Sequence, residues 1–317
     1  VEKFADKHGY PIMIKAAMGG GGRGMRIVKR KEELREAYER ARSEANQSFG
    51  DDELYVEKMI VNPKHIEVQI LADKHGNVMH LFERDCSVQR RNQKVIEFAP
   101  SITLSQERRK EICEAAVNLA KSVNYYNAGT VEFLVTEDDF YFVEVNPRVQ
   151  VEHTVTEMIT GVDIVQSQIQ IAEGKDLYND LELPKQEELT SQGIAIQCRI
   201  TTEDPENNFM PDTGKLETYR SPGGFGVRLD GGNVYAGAVI TPFYDSLLVK
   251  ACVQARNFKE AIKRMNRVLN EFRIRGVKTN IKFMRNVLNH PVFVAGDART
   301  TFIDNTPELF EFNRSSN

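Results

Sequence analysis

Two short strand-like runs around four polar residues constrain this chain most. Residues 130–135 (Thr-Val-Glu-Phe-Leu-Val) and 140–145 (Phe-Tyr-Phe-Val-Glu-Val) flank Thr136-Glu137-Asp138-Asp139, the pattern of an antiparallel hairpin. With the turn centred on Asp138, Glu132 stands directly opposite Glu144; a two-residue turn would shift the register and separate them. Like charges facing each other across a hairpin destabilise it unless something neutralises them. Two carboxylates beside the amide oxygen of Asn146 form a set of hard oxygen ligands, suited to magnesium or manganese held against phosphate. The expectation is a magnesium–nucleotide site.

The polar row continues past the hairpin. Even positions from 144 to 152 read Glu144, Asn146, Arg148, Gln150 and Glu152, while the odd positions up to Val151 are Val and Pro. Alternation alone fits a half-exposed strand with a wet outer face. The mixture is more telling, because carboxylates, amides and an Arg in one row can hold a cation at one end and an anion at the other. Pro147 interrupts any ladder, which places this segment on an edge or leaving its sheet.

Composition bounds the alternatives. The chain has 317 residues, 41% of them hydrophobic, enough for two or three packed subdomains. A net charge of -4 leaves no global basic footprint for nucleic acid. Cys86, Cys113, Cys198 and Cys252 are scattered without a CxxC pair, which fits a reducing compartment and no structural zinc. No apolar run approaches the roughly 18 residues that cross a bilayer, so no membrane partner is expected. A cytoplasmic location follows, although a mitochondrial parent would look the same once its transit peptide was removed. The chain opens without Met inside a helical pattern, and we expect a fragment of a longer protein.

In chain order, residues 10–15 read as a buried strand ending in Lys15. Gly19, Gly20, Gly21, Gly22 and Gly24 follow, then a strand at residues 26–28. A dinucleotide fold needs a helix where that strand begins, and no Lys-Ser or Lys-Thr closes a Walker loop. Two readings remain: a bare glycine hairpin, or a flap whose backbone N–H groups wrap phosphate beside Lys15. A charged helix is expected over 31–48 and a strand over 54–60, where Glu57 to Ile60 offer donors and acceptors to an adenine. Residues 64–71 and 77–83 alternate as antiparallel strands, with His65 and Glu67 sharing a face. Residues 84–94 are basic and amide-rich without aromatics, which disfavours a nucleic-acid platform and favours a wall for phosphate or bicarbonate. Helices are expected over 105–123, with Ser105 as N-cap, over 154–173 and over 258–272. Arg199 lies on an apolar strand, so it either pairs with a core carboxylate or holds an oxyanion.

Taken together, the glycine flap, the Glu132/Glu144/Asn146 trio and the Arg148-to-Glu152 row resemble the ATP-grasp biotin carboxylases. The resemblance runs over essentially the whole chain. It rests on Lys15-Ala16 with Gly19 to Met25, Arg84 to Ser87, Gln93-Lys94, Glu144 to Arg148, Gln150 to His153 and Pro222 to Arg228. Within the family it is similar above all to the biotin carboxylase portion of pyruvate carboxylases, on Thr201 to Pro205, Leu229 to Asn233 and Thr301 to Phe310.

The resemblance implies an α+β ATP-grasp fold, a glycine-rich lid plus an antiparallel-sheet subdomain, followed by the biotin carboxylase C-terminal subdomain. The implied divisions are 1–60 for the lid, 61–190 for the core, 191–300 for the C-terminal subdomain and 301–317 for a linker. It implies that Lys15, Gly20, Gly21 and Gly22 hold ATP phosphates. Glu57, Lys58, Ile60, His65, Gln89 and Leu134 would line the nucleotide pocket, with Glu144 shared with the metal. Glu132, Glu144 and Asn146 would gather magnesium or manganese. Lys94, Arg148, Gln150 and Val151 would hold bicarbonate, with Glu152 as general base, Arg199 stabilising the biotin enolate, and Tyr244 and Asp245 at the biotin mouth. Asn92 stands where acetyl-CoA carboxylase relatives often carry His.

The implied cofactors are ATP, Mg2+ or Mn2+, and biotin on a carrier domain. The implied partners are that carrier domain and a carboxyltransferase domain of the same parent, in a homo-oligomer. The family's amino-terminal subdomain, a biotinylation site and a carboxyltransferase barrel have no counterpart in this sequence. Two other readings compete: an ATP-grasp ligase joining a carboxylate to an amine, and a nucleotide-binding fragment whose chemistry is incomplete.

Overall fold

The computed structural model describes residues 1–19, 24–232 and 234–312. Gly20, Gly21 and Gly22 of the expected flap, Asn233, and residues 313–317 lie outside the described residues. The chain divides into two units, Val1–Val61 and the remainder from Asn62.

In the first unit, helix α1 (Glu2–His8) precedes strands β1 (Ile12–Ala16) and β2 (Met25–Val28). A short 3-10 turn at Lys31–Glu33 leads into helix α2 (Leu34–Phe49), and strand β3 (Leu54–Lys58) completes the unit. The antiparallel sheet runs β2-β1-β3 and packs Ile12, Ile14 and Val28 against Ala5, Leu34 and Ala41 of the helices. Lys15 pairs with Met25, and Ala16 N–H donates to the Gly24 carbonyl at 2.9 Å. Gly24 is required here, because its φ is +71° and a Cβ would sit 2.9 Å from that of Ala16.

The second unit is built on strands β4 (Lys64–Ala72), β5 (Val78–Arg90), β6 (Gln93–Ala99), β7 (Asn127–Val135), β8 (Phe140–Asn146) and β9 (Ile194–Thr201), with helices α3 (Gln106–Ser122), α4 (His153–Thr160) and α5 (Ile164–Ala172) between them. Strands β10 (Val227–Gly231) and β11 (Leu247–Ala255) and helices α6 (Phe258–Glu271) and α7 (Ile281–Asn289) follow, with shorter strands and a short helix at Pro291–Val294 among the remaining elements. The eight strands form one antiparallel sheet in the order β10-β11-β9-β6-β5-β4-β7-β8. The α+β arrangement of an antiparallel sheet flanked by helices is as expected.

One face of that sheet is apolar. There α3 lays Ile112, Cys113 and Ala116 on Ile66, Val68 and Val131. Further along, α6 and α7 bury Phe258, Met265 and Phe283 against Phe98, Ile196 and Val253. Helix α6 reads Phe258, Ala261, Ile262, Met265, Val268, Leu269, a full apolar stripe at helical spacing. Ser105 caps α3, accepting from Arg108 N–H at 3.1 Å. The opposite face is polar at its centre and is covered by α4 and α5.

One local expectation is corrected. The helix expected over 154–173 is two helices: Gly161 ends α4 at φ 72°, and Asp163 starts α5 by accepting from Gln166 N–H at 2.8 Å. The basic stretch 84–94 is the end of β5 and a hairpin into β6; Arg84, Asp85 and Ser87 are buried, while Arg90, Asn92, Gln93 and Lys94 line a cavity. The row of residues 144–152 is strand only to Asn146, where Pro147 interrupts the ladder as expected. As the proline suggested, β8 is an edge of the sheet.

Phe98 is fully enclosed, its ring 4.8 Å from Phe258 and 6.0 Å from Phe293. Phe98→Ala is expected to cost about 3–5 kcal/mol, whereas Val123→Ala, on an exposed side chain, stays within about 0.5 kcal/mol. Urea denaturation of the two variants checks both figures.

Candidate active site

The site is assembled by register on the polar face of the large sheet. Arg84 on β5 faces Glu67 on β4, Glu67 faces Glu132 on β7, and Glu132 faces Glu144 on β8. Three carboxylates therefore stand side by side on neighbouring strands. The Glu132–Glu144 opposition is as expected, but its cause is different. The four-residue loop Thr136–Asp139 pairs Val135 with Phe140 and Phe133 with Phe142, and a register shift after Phe133 brings Glu144 opposite Glu132. A bulge in β8, and not the turn, sets the pair.

Such a row requires compensation, and the neighbouring side chains supply it. Lys94 Nζ donates to Glu67, to Glu132 at 3.0 Å and to Glu152 at 2.8 Å. Burial opposes the ammonium charge, but Glu67 and the other anionic groups outweigh it and hold Lys94 well above its ordinary range. Arg84, fully buried, donates to Glu67, to Gln69 at 2.6 Å and to Gln150 at 3.1 Å. His65 Nε2 lies 3.0 Å from Glu132 and 3.3 Å from Glu67, at angles that make no directed hydrogen bond. Burial disfavours its charge, yet the two carboxylates win and raise it to about 9. Burial likewise pushes Glu67 up, but His65, Lys94 and Arg84 bring it down to about 2. Glu132 is also held below the ordinary carboxylate range, since His65 and Lys94 outweigh its burial.

Arg199 settles between its two readings. Its Nε donates to Glu97 at 2.6 Å and its Nη2 to Glu152 at 2.9 Å, so it is a core ion pair that also reaches Glu152. Gln197 donates to Glu97 at 2.9 Å, which leaves this buried carboxylate hydrogen-bonded on both oxygens. Glu152 is thus tied to Lys94 through one oxygen and to Arg199 through the other, at the residue that precedes α4.

A cavity of about 510 Å³ opens over this cluster. Lys94, Arg148, Gln150, Val151, Glu152, Arg199 and Asp245 all line it, as do Arg90, Asn92, Thr201, Glu203, Phe209 and Asn280. Arg148 has no carboxylate partner among the described residues; its guanidinium donates to Asn146 at 3.4 Å and to the Val149 carbonyl at 3.2 Å. It remains open to an incoming anion. Tyr244 is 85% exposed next to Asp245 and does not line the cavity.

Of the expected metal ligands, Glu132 is buried and Glu144 is exposed. Asn146 donates to Glu132 at 2.9 Å and lies 3.5 Å from Glu144. Asn146 turns its Nδ2 toward the two carboxylates and its Oδ1 toward Arg148, so of this trio only the carboxylates present oxygens suited to magnesium or manganese here. Gln89 is buried, donating to the Cys86 carbonyl at 2.9 Å, and Leu134 pairs with His65 in the ladder. In the first unit, Lys15 lies 2.5 Å from Glu57. Lys58 reaches the carbonyls of His8 at 2.9 Å and Gly9 at 3.1 Å, at the end of α1. Ile60 is half-buried just beyond β3.

Four residues of the cluster escaped the sequence reading as site residues: Glu67, Arg84, Glu97 and Gln197. For two of them the available signal was a charge between apolar strand neighbours, Glu67 between Ile66 and Val68 and Glu97 between Ile96 and Phe98.

Two family descriptions match the chain: the ATP binding domain of the carbamoyl-phosphate synthase L chain over residues 1–180, and the biotin carboxylase C-terminal domain over residues 197–305. The pyruvate carboxylase of Bacillus subtilis is 66% identical over 98% of this chain, which spans 27% of that relative's length. Among solved structures, a Rhizobium etli pyruvate carboxylase with the allosteric activator acetyl coenzyme A superposes with a TM-score of 0.93 and 52% identity, covering 100% of this chain and 28% of that one. The biotin carboxylase domain dimer of Hydrogenobacter thermophilus 2-oxoglutarate carboxylase, with MgADP, ADP and bicarbonate, gives a TM-score of 0.91 at 46% identity, covering 99% of this chain and 68% of that one. With that coverage and identity, and with the charged cluster and its cavity in place, the chain belongs to the ATP-grasp biotin carboxylase family.

Proposed function

We propose that the chain carries the ATP-, magnesium- and bicarbonate-dependent carboxylation of biotin, the first half-reaction of a pyruvate carboxylase. The observation that carries this reading is the cavity lined by Lys94, Arg148, Glu152 and Arg199, in which Lys94 and Arg199 pair with Glu152 and Arg148 has no carboxylate partner among the described residues. Three cations and one carboxylate lining one cavity suit a small anion that must lose a proton. Lys94, Arg148, Gln150 and the Val151 backbone hold bicarbonate, and Glu152 takes its proton as general base. The bicarbonate oxygen then attacks the γ-phosphorus of ATP, releasing ADP and forming carboxyphosphate. Carboxyphosphate divides into carbon dioxide and phosphate, the phosphate takes the biotin N1 proton, and N1 attacks the carbon dioxide. Arg199 stabilises the negative charge that develops on the biotin ureido oxygen.

Glu132, Glu144 and Asn146 are the residues proposed to hold magnesium or manganese, whose chemistry is to neutralise phosphate charge. Lys15, Gly20, Gly21, Gly22, Glu57, Lys58, Ile60, His65, Gln89, Leu134 and Glu144 are assigned to ATP, and Tyr244 and Asp245 to the mouth through which biotin enters. We place the functional divisions at 1–60, 61–190 and 191–300, with 301–317 leading to the rest of the parent. The biotin arrives on a carrier domain and leaves for a carboxyltransferase domain, within a homo-oligomer of cytoplasmic or mitochondrial location. No helix among the described residues is long and apolar enough to cross a membrane.

ATP hydrolysis by the chain with magnesium, with and without bicarbonate and free biotin, tests the reading. The expected result is turnover that requires bicarbonate and rises with biotin; ATP binding without any turnover would sink it for this chain. Glu144→Ala is expected to remove magnesium-dependent turnover. Arg199→Ala is expected to leave the ATP dissociation constant unchanged while biotin carboxylation falls by about 100-fold or more, read by fixation of labelled bicarbonate.

A further inference from the structure

One half-buried cation near the site has no role in the reading above. Lys250 sits in β11 among Val249, Ala251 and Val253, a strand otherwise belonging to the core. Its side chain is 14% exposed, a placement that requires partners. It has two: the Val151 carbonyl at 3.2 Å and Asp230 at 3.3 Å. Asp230 is gripped in turn by Arg228, at 2.8 and 2.9 Å, and Arg228 reaches Glu157 on α4 at 2.6 Å.

Register explains why these groups meet. Lys250 faces Asp230 on β10 and Arg199 on β9, so the three side chains share one face of adjacent strands. The two neighbouring cations then hold successive residues of the cavity wall: Lys250 the carbonyl of Val151, Arg199 the carboxylate of Glu152. Residues 147–152 lie between β8 and α4, outside any strand or helix. Their backbone therefore depends on contacts of this kind for its position.

We propose that Lys250 is a positioning residue for bicarbonate, fixing the Val151–Glu152 peptide through its carbonyl, with Asp230 and Arg228 holding Lys250 in turn. The assignment rests on the carboxylation reading above. Lys250 touches no reacting atom. Its effect is to keep the Val151 N–H and the Glu152 carboxylate aimed at the same point in the cavity, and small misplacements of such groups are costly.

The test compares Lys250→Met, Lys250→Arg and Asp230→Asn in the complete polypeptide that carries this domain, reading KM for bicarbonate and for ATP in bicarbonate-dependent ATP hydrolysis, with a thermal melt of each. Lys250→Met is expected to raise the bicarbonate KM about 10- to 100-fold, with the ATP KM unchanged. Lys250→Arg should recover most of the loss, and Asp230→Asn should move the bicarbonate KM in the same direction by less. Should Lys250→Met fail to fold, the Arg and Asn variants carry the same comparison. An unchanged bicarbonate KM, or equal rises in both KM values, overturns the assignment. A parent polypeptide without bicarbonate-dependent hydrolysis overturns the carboxylation reading itself, which separates the two failures.

Discussion

The ammonium of Lys94 among Glu67, Glu132 and Glu152 is the contact on which the rest of the site depends. Three carboxylates converging on the buried face of a sheet would repel one another by several kcal/mol in a medium of low dielectric. With Lys94 at their centre, Arg84 beneath and Arg199 beside, the same groups form a network in which each charge has a counter-charge within hydrogen-bonding reach. A network of this kind fixes side-chain directions more firmly than apolar packing does, because each member has only one arrangement that satisfies it.

The apolar face of the sheet makes that network affordable. Helices α3, α6 and α7 bury apolar surface on one side of the sheet; on the other side the charged residues lie beside a smaller apolar cluster, in which Ile164 and Ile171 of α5 pack with Leu71, Met79 and Leu81. Alternation along each strand sends neighbouring residues to different tasks: Ile66 and Val68 to the core, Glu67 and Gln69 to the cluster.

Much of this was legible in the sequence, to the extent that it depended on near neighbours. The hairpin, the edge position announced by Pro147, and the cap at Ser105 are all local; the facing glutamates were expected from a turn centred on Asp138, whereas a bulge in β8 sets them. Glu67 and Arg84 were not legible as site residues, because their place in the row depends on β4 lying between β5 and β7, an order that strand patterns do not reveal. Arg199 was recognisable as anomalous, but both its partners lie far away in the chain. The break between α4 and α5 was missed because the apolar pattern runs on through Gly161 and Val162, while the backbone turns at the glycine. Lys58 shows a different limit: three successive carbonyls at the end of α1 take up its donors, and nothing in its own strand signals this.

The bulge in β8 has a consequence for solubility. An edge strand with Tyr141, Phe142, Val143 and Val145 exposed presents open backbone groups and apolar side chains, which invites strand addition by another chain. The irregularity beside Phe142, with Pro147 just past the strand's end, breaks the flat run of donors and acceptors that such pairing needs. The distortion that brings Glu144 to face Glu132 therefore also makes this edge a poor template for aggregation.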